Sequence, residues 1–240
     1  MKIALLGYGR MGHEVAAAAE ARGHKVAAVV DCRDDWAALR NEVAECDVAI
    51  DFSLPNEVLA NIDECFALDL PAVVGTTGWY DHLPEVASRC REHGKSLFVA
   101  SNFSMGMNVV FELNRRLAEL MERIGGYDVA ISETHHIHKL DAPSGTAISL
   151  ASDILNRSGA KSSWALDDGS PLSPDVLRIR SIREGEVAGI HEVTYTSPAD
   201  TITLRHEAHS RAGLAAGAIL AAEFLLPRKG FFTMHDMLQS

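Results

Sequence analysis

The stretch that decides the fold is Lys2–Gly12, which reads KIALLGYGRMG. A short apolar run leads into the pattern Gly-x-Gly-x-x-Gly at Gly7, Gly9 and Gly12, and an alanine-rich segment follows. A strand that passes through such a turn into a helix is typical of dinucleotide-binding α/β domains. The first glycine permits the tight turn, the second lets the backbone approach a pyrophosphate, and the third lets helix and strand pack closely. The helix start then offers free N–H groups to the phosphates.

Asp31 lies 19 residues after Gly12, at the end of the next predicted strand, Lys25–Val30. A carboxylate at this position accepts hydrogen bonds from the ribose hydroxyls of a dinucleotide. It repels a 2′-phosphate and so favours NADH, whereas Arg33, two residues later, could attract that phosphate. The sequence therefore predicts NADH and/or NADPH as cofactor and leaves the preference open.

The same alternation of strand and helix continues to about residue 100. Apolar runs predict strands at 47–52, 72–74 and 96–100, with helices near 57–67 and 83–93. This rhythm favours a Rossmann-type, doubly wound parallel sheet, whose ligands bind beyond the carboxyl ends of the strands. The segments that follow three of these strands are therefore expected to reach the dinucleotide. The predicted cofactor-binding residues are Gly7, Tyr8, Gly9, Arg10, Met11, Gly12, Asp31, Phe52, Ser53, Gly75, Thr76, Thr77, Ser101, Asn102 and Phe103.

The second half of the chain has a different pattern. Apolar residues at three- and four-residue steps predict a long helix over 110–124, which ends at Gly125-Gly126. A strand is predicted at 128–132, a loop over the polar residues 161–175, and three strands joined by short turns over 176–209. This arrangement predicts a smaller α+β domain with a mixed or antiparallel sheet. The helix predicted over 213–226 either covers that sheet or crosses back to the first domain.

Composition argues against several classes of protein. The formal net charge of −11 disfavours nucleic acid as a general partner, because phosphate binding is largely cationic. The four cysteines form no Cys-x-x-Cys pair, which favours free thiols in a reducing compartment. No apolar run is long enough for a signal-peptide core or a membrane span, so no membrane association is predicted and the expected location is cytoplasmic.

The segment Glu133–Ala147, ETHHIHKLDAPSGTA, concentrates groups that carry protons. A polar surface loop is one interpretation. A metal site is a second, but no carboxylate or cysteine completes a zinc spacing with His136 and His138, so no metal is predicted. The third is an anion and proton-transfer site. Ser144-Gly145-Thr146 would open a helix whose N–H groups bind a carboxylate, while Lys139 adds a charge and histidine exchanges protons near neutral pH.

This segment closely resembles the signature E-x-HHxxKxDAPSGTA of the dihydrodipicolinate reductase family. Further segments resemble the family in the same order, namely those at 9–12, 51–53, 75–78, 101–106, 183–191 and 234–238. The family commonly shows Gly-x-x-Gly-Arg-Met-Gly where this chain has Gly7–Gly12, so its phosphate loop is one residue shorter.

The resemblance implies a function and a set of roles. The family reduces a cyclic unsaturated dicarboxylate of the diaminopimelate and lysine pathway with NADH or NADPH, and is typically a homotetramer. It implies that His135 donates or accepts a proton, that Lys139 is a second proton donor, and that the substrate contacts are His136, Ser144, Gly145 and Thr146. It also implies a dinucleotide-binding domain over 1–106 with 211–240, to which the C-terminal helix returns, and a substrate-binding and oligomerisation domain over 107–210.

Two rival functions are kept. Another small nicotinamide reductase, such as an amino-acid dehydrogenase, would turn over an acyclic oxo or amino acid. A redox sensor would bind the dinucleotide and leave it unoxidised when offered any cyclic dicarboxylate. The density of proton-carrying groups at 135–139 argues against the sensor, because a polar cluster is costly unless chemistry uses it.

Overall fold

The computed structural model describes residues 1–240, and these form two compact units. One unit consists of Met1–Met105 with Arg211–Ser240, and the other of Gly106–Ser210. The first unit contains a six-stranded sheet in which every strand pair is parallel, and the second contains a mixed five-stranded sheet. This confirms the predicted fold class. None of the helices is both long and apolar enough to cross a membrane.

The N-terminal part of the first unit alternates strands and helices as predicted. Most residues of its strands are buried and apolar, and helices pack on both faces of the sheet. A short 3₁₀ helix, Tyr80–His82, precedes the last helix of this part. The elements are β1 (Lys2–Leu6), α1 (Arg10–Ala21), β2 (Lys25–Val30), α2 (Arg33–Ala44), β3 (Val48–Asp51), α3 (Val58–Ala67), β4 (Ala72–Val74), α4 (Leu83–Glu92) and β5 (Ser96–Val99).

The second unit packs two helices on one face of its sheet. The elements are α5 (Met105–Ile124), β6 (Asp128–His135), α6 (Gly145–Leu155), β7 (Ser163–Leu166), β8 (Val176–Arg183), β9 (Gly189–Thr196) and β10 (Thr201–Ala208). The strand order is β10-β9-β6-β8-β7, so β6 is central. Alternate residues of β6 and β9 face the helices, and they share a core with apolar residues of α5 and α6.

The C-terminal segment belongs to the first unit. It forms α7 (Ala212–Leu225), β11 (Gly230–Phe232) and α8 (Met234–Leu238). Helix α7 packs against α1 and against β3, β4 and β5, and β11 adds to the edge of β5 in parallel. The first sheet therefore has the order β11-β5-β4-β3-β1-β2.

Two local features differ from the sequence-based expectations. The prediction of a loop over 161–175 is wrong at 163–166, where β7 forms an edge strand parallel to β8. The strand is short and half-exposed, so its own residues carry no clear strand pattern. It is defined by its hydrogen bonds to β8. Helix α2 was not predicted; Asp35 starts it by accepting the backbone N–H groups of Asp31 and Cys32 at 2.8 and 2.9 Å.

Gly217 allows α7 to pack closely against the loop that follows β5. A Cβ atom at this position would lie 1.7 Å from the carbonyl oxygen of Phe103, which is part of the backbone and cannot move aside cheaply. We expect Gly217→Ala to lower the free energy of unfolding by about 1–3 kcal/mol, because it overpacks this contact. Denaturant unfolding followed by circular dichroism measures the change.

Gly213→Ala is the matched control on the same helix, since a Cβ there meets no atom within 4 Å. It should leave stability unchanged or raise it by up to about 1 kcal/mol through helix propensity. Equal stabilities for the two variants would contradict the assigned contact.

Candidate active site

The glycine pattern of the first loop is explained by sterics. Gly7 has φ of +89°, and a Cβ there would lie 2.5 Å from the carbonyl oxygen of Phe52. A Cβ at Gly12 would lie 2.5 Å from the carbonyl oxygen of Gly7. Gly9, in contrast, is exposed at the start of α1 and has no atom within 4 Å of a Cβ position. Two glycines therefore close the turn, and the third leaves the backbone open to a ligand.

A cavity of about 390 Å³ lies beside this loop. The backbone N–H of Tyr8 donates to Oδ1 of Asp31 at 2.6 Å, which fixes the carboxylate at the cavity wall. The wall brings together six of the predicted cofactor-binding residues. It is lined by Gly7, Tyr8, Gly9, Val30, Asp31, Cys32, Phe52, Ser53, Leu54, Glu57 and Asn61. Arg10, Met11 and Gly12 lie in the adjoining first turn of α1.

Asp51 organises the loops around this cavity, and sequence reasoning did not single it out as a site residue. Its buried carboxylate accepts hydrogen bonds from Thr76 Oγ1 at 2.6 Å, from Ser53 N and Oγ at 2.9 and 2.7 Å, and from Asn61 Nδ2 at 2.8 Å. Burial raises the pKa of Asp51, and these hydrogen bonds oppose that rise. The signal was present in the sequence as a carboxylate that ends the otherwise apolar strand β3.

The remaining predicted cofactor residues lie in the loops after β4 and β5, outside the cavity wall. Gly75 leaves room for the ring of Phe52, which a Cβ would meet at 2.2 Å. That ring contacts Phe103 with 5.7 Å between centroids, and the side chain of Phe103 is buried in the core. Thr77 and Ser101 are exposed, and Asn102 is half-buried. Thr76 is buried, and its hydroxyl donates a hydrogen bond to Asp51.

In the second unit, His135 is the last residue of β6 and is mostly buried. Its Nδ1 is hydrogen-bonded to Oε2 of Glu133, which lies two residues earlier on the same face of the strand. Oε1 of Glu133 accepts from Arg183 Nη1 at 3.0 Å. Burial alone would raise the pKa of Glu133, but its contacts with His135, Ser181 and Arg183 outweigh burial and lower that pKa to about 2. Glu133 is therefore a carboxylate at neutral pH.

Arg183 also contacts the segment that follows β6. Its Nη2 donates to the carbonyl oxygen of Asp141 at 2.6 Å, and its Nε donates to the carbonyl oxygen of Lys139 at 3.3 Å. The ammonium group of Lys139 forms an ion pair with Asp141 Oδ1 at 2.8 Å. Arg183 is thus linked by hydrogen bonds to both predicted proton-transfer residues. It reaches His135 through Glu133, and it binds the backbone carbonyl oxygen of Lys139 directly.

His191 on β9 is a further histidine of this cluster. Its ring lies edge-on to that of His135, with 5.0 Å between centroids, and its Nε2 lies 3.1 Å from Ser144 Oγ. Burial, followed by the nearby charge of His135, lowers the pKa of His191 to about 4. His191 is therefore neutral at pH 7.

Ser144 is the N-cap of α6, and its Oγ accepts from Ala147 N at 3.2 Å. The hydroxyl is buried, so its role is to shape the helix start, whereas Gly145 is exposed and Thr146 half-buried. The Ala142–Pro143 peptide bond just before the cap is cis. The predicted substrate residue His136 is half-buried, and its Nδ1 is buried without a hydrogen-bond partner.

Glu133, His135 and His191 place ligand-type atoms within 4.8 Å of one another, as a metal site would. The charges argue against this role. The Glu133 carboxylate already pairs with the guanidinium of Arg183, and a metal cation beside it would face that positive charge. Arg183, Glu133 and His135 form a hydrogen-bonded chain, and His191 packs edge-on against the ring of His135.

Both halves of the chain match one known protein family. Residues 1–103 match the family described as dihydrodipicolinate reductase, N-terminus, and residues 106–238 match dihydrodipicolinate reductase, C-terminus. The 4-hydroxy-tetrahydrodipicolinate reductase of Christiangramia forsetii is 45% identical over 238 residues, covering 99% of this chain and 98% of the relative. That of Staphylococcus haemolyticus is 33% identical over 248 residues, covering 99% and 100%.

Solved structures show the same fold. A dipicolinate-bound dihydrodipicolinate reductase from Paenisporosarcina sp. TG-14 superimposes with a TM-score of 0.79, at 23% identity and 97% coverage of both chains. A diaminopimelate dehydrogenase from C. glutamicum gives a TM-score of 0.52 at 14% identity, covering 97% of this chain and 92% of that one. From the match of both halves to one family, and from relatives similar over nearly the whole length, we conclude that the chain belongs to the dihydrodipicolinate reductase family and is a nicotinamide-dependent oxidoreductase.

Proposed function

We propose that this protein reduces the dihydrodipicolinate that 4-hydroxy-tetrahydrodipicolinate forms by loss of water, and so produces tetrahydrodipicolinate in the diaminopimelate and lysine pathway. The observation that carries the proposal is the pairing of His135 with the buried carboxylate of Glu133 inside the segment that resembles the family signature. A histidine held in this way suits proton transfer to a substrate that gains a hydride.

The first unit fits a dinucleotide. Gly9 offers exposed backbone at the start of α1, and Asp31 stands at the wall of the adjoining cavity, where ribose hydroxyls could bind. We assign binding of the remainder of the cofactor to the loops that follow β3, β4 and β5. When bound, reduced nicotinamide supplies the hydride. NADH and NADPH are both proposed as donors, because Asp31 and Arg33 favour opposite choices.

The substrate carries two carboxylates, and the second unit offers groups that bind anions. We assign one carboxylate to the N–H groups of Gly145 and Thr146 at the start of α6, with Ser144 fixing that helix end. Lys139 and His136 supply further contacts. This assignment accounts for a serine, a glycine and a threonine that follow Lys139 by five to seven residues.

His135 and Lys139 act on the charge that develops when hydride enters the carbon conjugated to the ring imine. Negative charge then builds on the nitrogen and its conjugated carbons. A protonated His135 and the ammonium of Lys139 stabilise this charge and supply the proton. General acid assistance of this kind is worth about 10²–10⁴ in rate.

We also propose a cytoplasmic homotetramer, with neither nucleic acid nor membrane as partner. The face of the second sheet that points away from α5 and α6 carries Ser132 on β6, with Glu192 and Arg180 as its neighbours on β9 and β8. Opposite charges side by side on one face make that face self-complementary in a symmetric assembly. The high net negative charge disfavours nucleic acid.

The reaction is tested by generating the substrate in the cuvette from pyruvate and aspartate semialdehyde with the upstream synthase. Oxidation of NADH and of NADPH is then followed separately by loss of absorbance. We expect turnover with at least one cofactor that depends on the synthase. Turnover of an acyclic 2-oxo acid in place of the cyclic dicarboxylate would favour the amino-acid dehydrogenase alternative, and cofactor binding without any oxidation would favour the sensor.

Replacement of His135 tests the proton-transfer role. We expect His135→Ala to lower kcat by about 10² or more with a modest change in KM, because the lost interaction forms mainly in the transition state. Steady-state kinetics with the generated substrate measure both constants. His138→Ala is the control, since His138 belongs to the same segment but is exposed and forms an ion pair with Glu186 on the surface. Wild-type kcat in His135→Ala would end the assignment.

A further inference from the structure

We propose that Glu133 and Arg183 are positioning residues, which hold His135 and Lys139 in one fixed geometry and set which ring nitrogen of His135 exchanges the proton. The inference rests on the proposed function, because it assigns a purpose to contacts around the two proposed proton-transfer residues. It extends the site to a residue on β8 that lies 50 positions beyond Glu133 along the chain.

Glu133 defines the tautomer of His135. A carboxylate only accepts hydrogen bonds, so the Nδ1 atom that contacts Glu133 carries a proton. Nε2 is then the nitrogen that gains and loses the second proton. Gly189 keeps this edge of the ring uncovered, since a Cβ there would lie 3.1 Å from Nε2. The charged or titratable groups that face His135 are Glu133 from β6, Arg183 from β8 and His191 from β9.

Arg183 links the Glu133–His135 pair to the segment that carries Lys139. It is the register partner of His135 on the adjacent parallel strand, so both residues end their strands side by side. From that position its guanidinium reaches Glu133 and the carbonyl oxygens of Lys139 and Asp141. These three acceptors lie on β6 and on the segment that follows it. One planar group therefore fixes the carboxylate that orients His135 and the backbone that carries Lys139.

Only arginine can make this set of contacts. Its guanidinium presents five N–H groups in a rigid fork, and three of its nitrogens are engaged here with separate oxygen atoms. A lysine at 183 would keep the positive charge beside Glu133 but could not span the carbonyl oxygens as well. Arg183→Lys therefore keeps the positive charge at residue 183 but removes the planar set of hydrogen-bond donors.

The experiment compares Glu133→Gln and Arg183→Lys with the wild type. We expect each to lower kcat by about 10²-fold, because small displacements of a catalytic group are sufficient for losses of that size. In Glu133→Gln the pH profile of kcat should differ from that of the wild type, because a neutral amide replaces the carboxylate that contacts His135. Affinity for the reduced cofactor, measured by fluorescence titration, should not change, because both residues belong to the second unit.

A double-mutant cycle separates positioning from a merely structural role. If Glu133 acts through His135, Glu133→Gln should lower kcat much less in a His135→Ala background than in the wild type. Full additivity would overturn the proposal. Should Glu133→Gln not fold, Arg183→Lys and the same cycle with His135→Ala decide the question, and thermal unfolding of each variant identifies that case.

Two surface variants serve as controls. Glu186→Gln breaks an exposed glutamate–histidine pair, and Arg116→Lys alters an exposed pair with Glu119, so both should retain wild-type kcat and pH profile. Wild-type kcat in both Glu133→Gln and Arg183→Lys, with the wild type active, would refute this inference alone. A wild type that does not turn over the generated substrate would instead refute the proposed function.

Discussion

The buried carboxylate of Glu133 is the constraint on which the second unit depends. The side chain has no exposed surface, and an isolated charge in that position would be too costly to keep ionised. Its two oxygens are satisfied by Arg183 and by His135, and removing one partner from such a buried pair typically costs about 3–5 kcal/mol. The end of β6, the end of β8 and the segment after β6 are therefore fixed together, and the groups proposed for proton transfer lie within that fixed region.

The first unit uses a related arrangement. Asp51 ends β3, an interior strand, as a buried carboxylate, and it accepts hydrogen bonds from the loops after β3 and β4 and from α3. In each unit a carboxylate near the carboxyl end of an interior strand orders the loops beside it. In an open α/β sheet such as that of the first unit, ligands bind at this edge, and the hydrogen bonds to Asp51 hold the loops there in place.

Local patterns predicted much of this structure from sequence. Gly7 has a positive φ, and a Cβ at Gly12 would meet the carbonyl oxygen of Gly7, so local sterics in the turn after β1 account for these two glycines. The contact between Glu133 and His135 was not predicted, because the predicted strand ended at residue 132; β6 in fact continues to His135, and residues two apart on a strand share a face. Arg183 could not be placed beside them in this way, since its position depends on the parallel pairing of β6 with β8. The short strands β7 and β11 were missed for the same reason: each consists of few residues and is defined by distant partners.

The central claim is that Glu133 fixes the tautomer of His135, and ¹⁵N NMR of histidine-labelled protein tests it most directly. The His135 signals are assigned by their absence from the spectrum of His135→Ala and followed to a pH at which the ring is neutral. The account predicts a protonated Nδ1 and a bare Nε2 in the wild type, with a mixture of tautomers in Glu133→Gln. A neutral ring that carries its proton on Nε2 in the wild type would contradict the account.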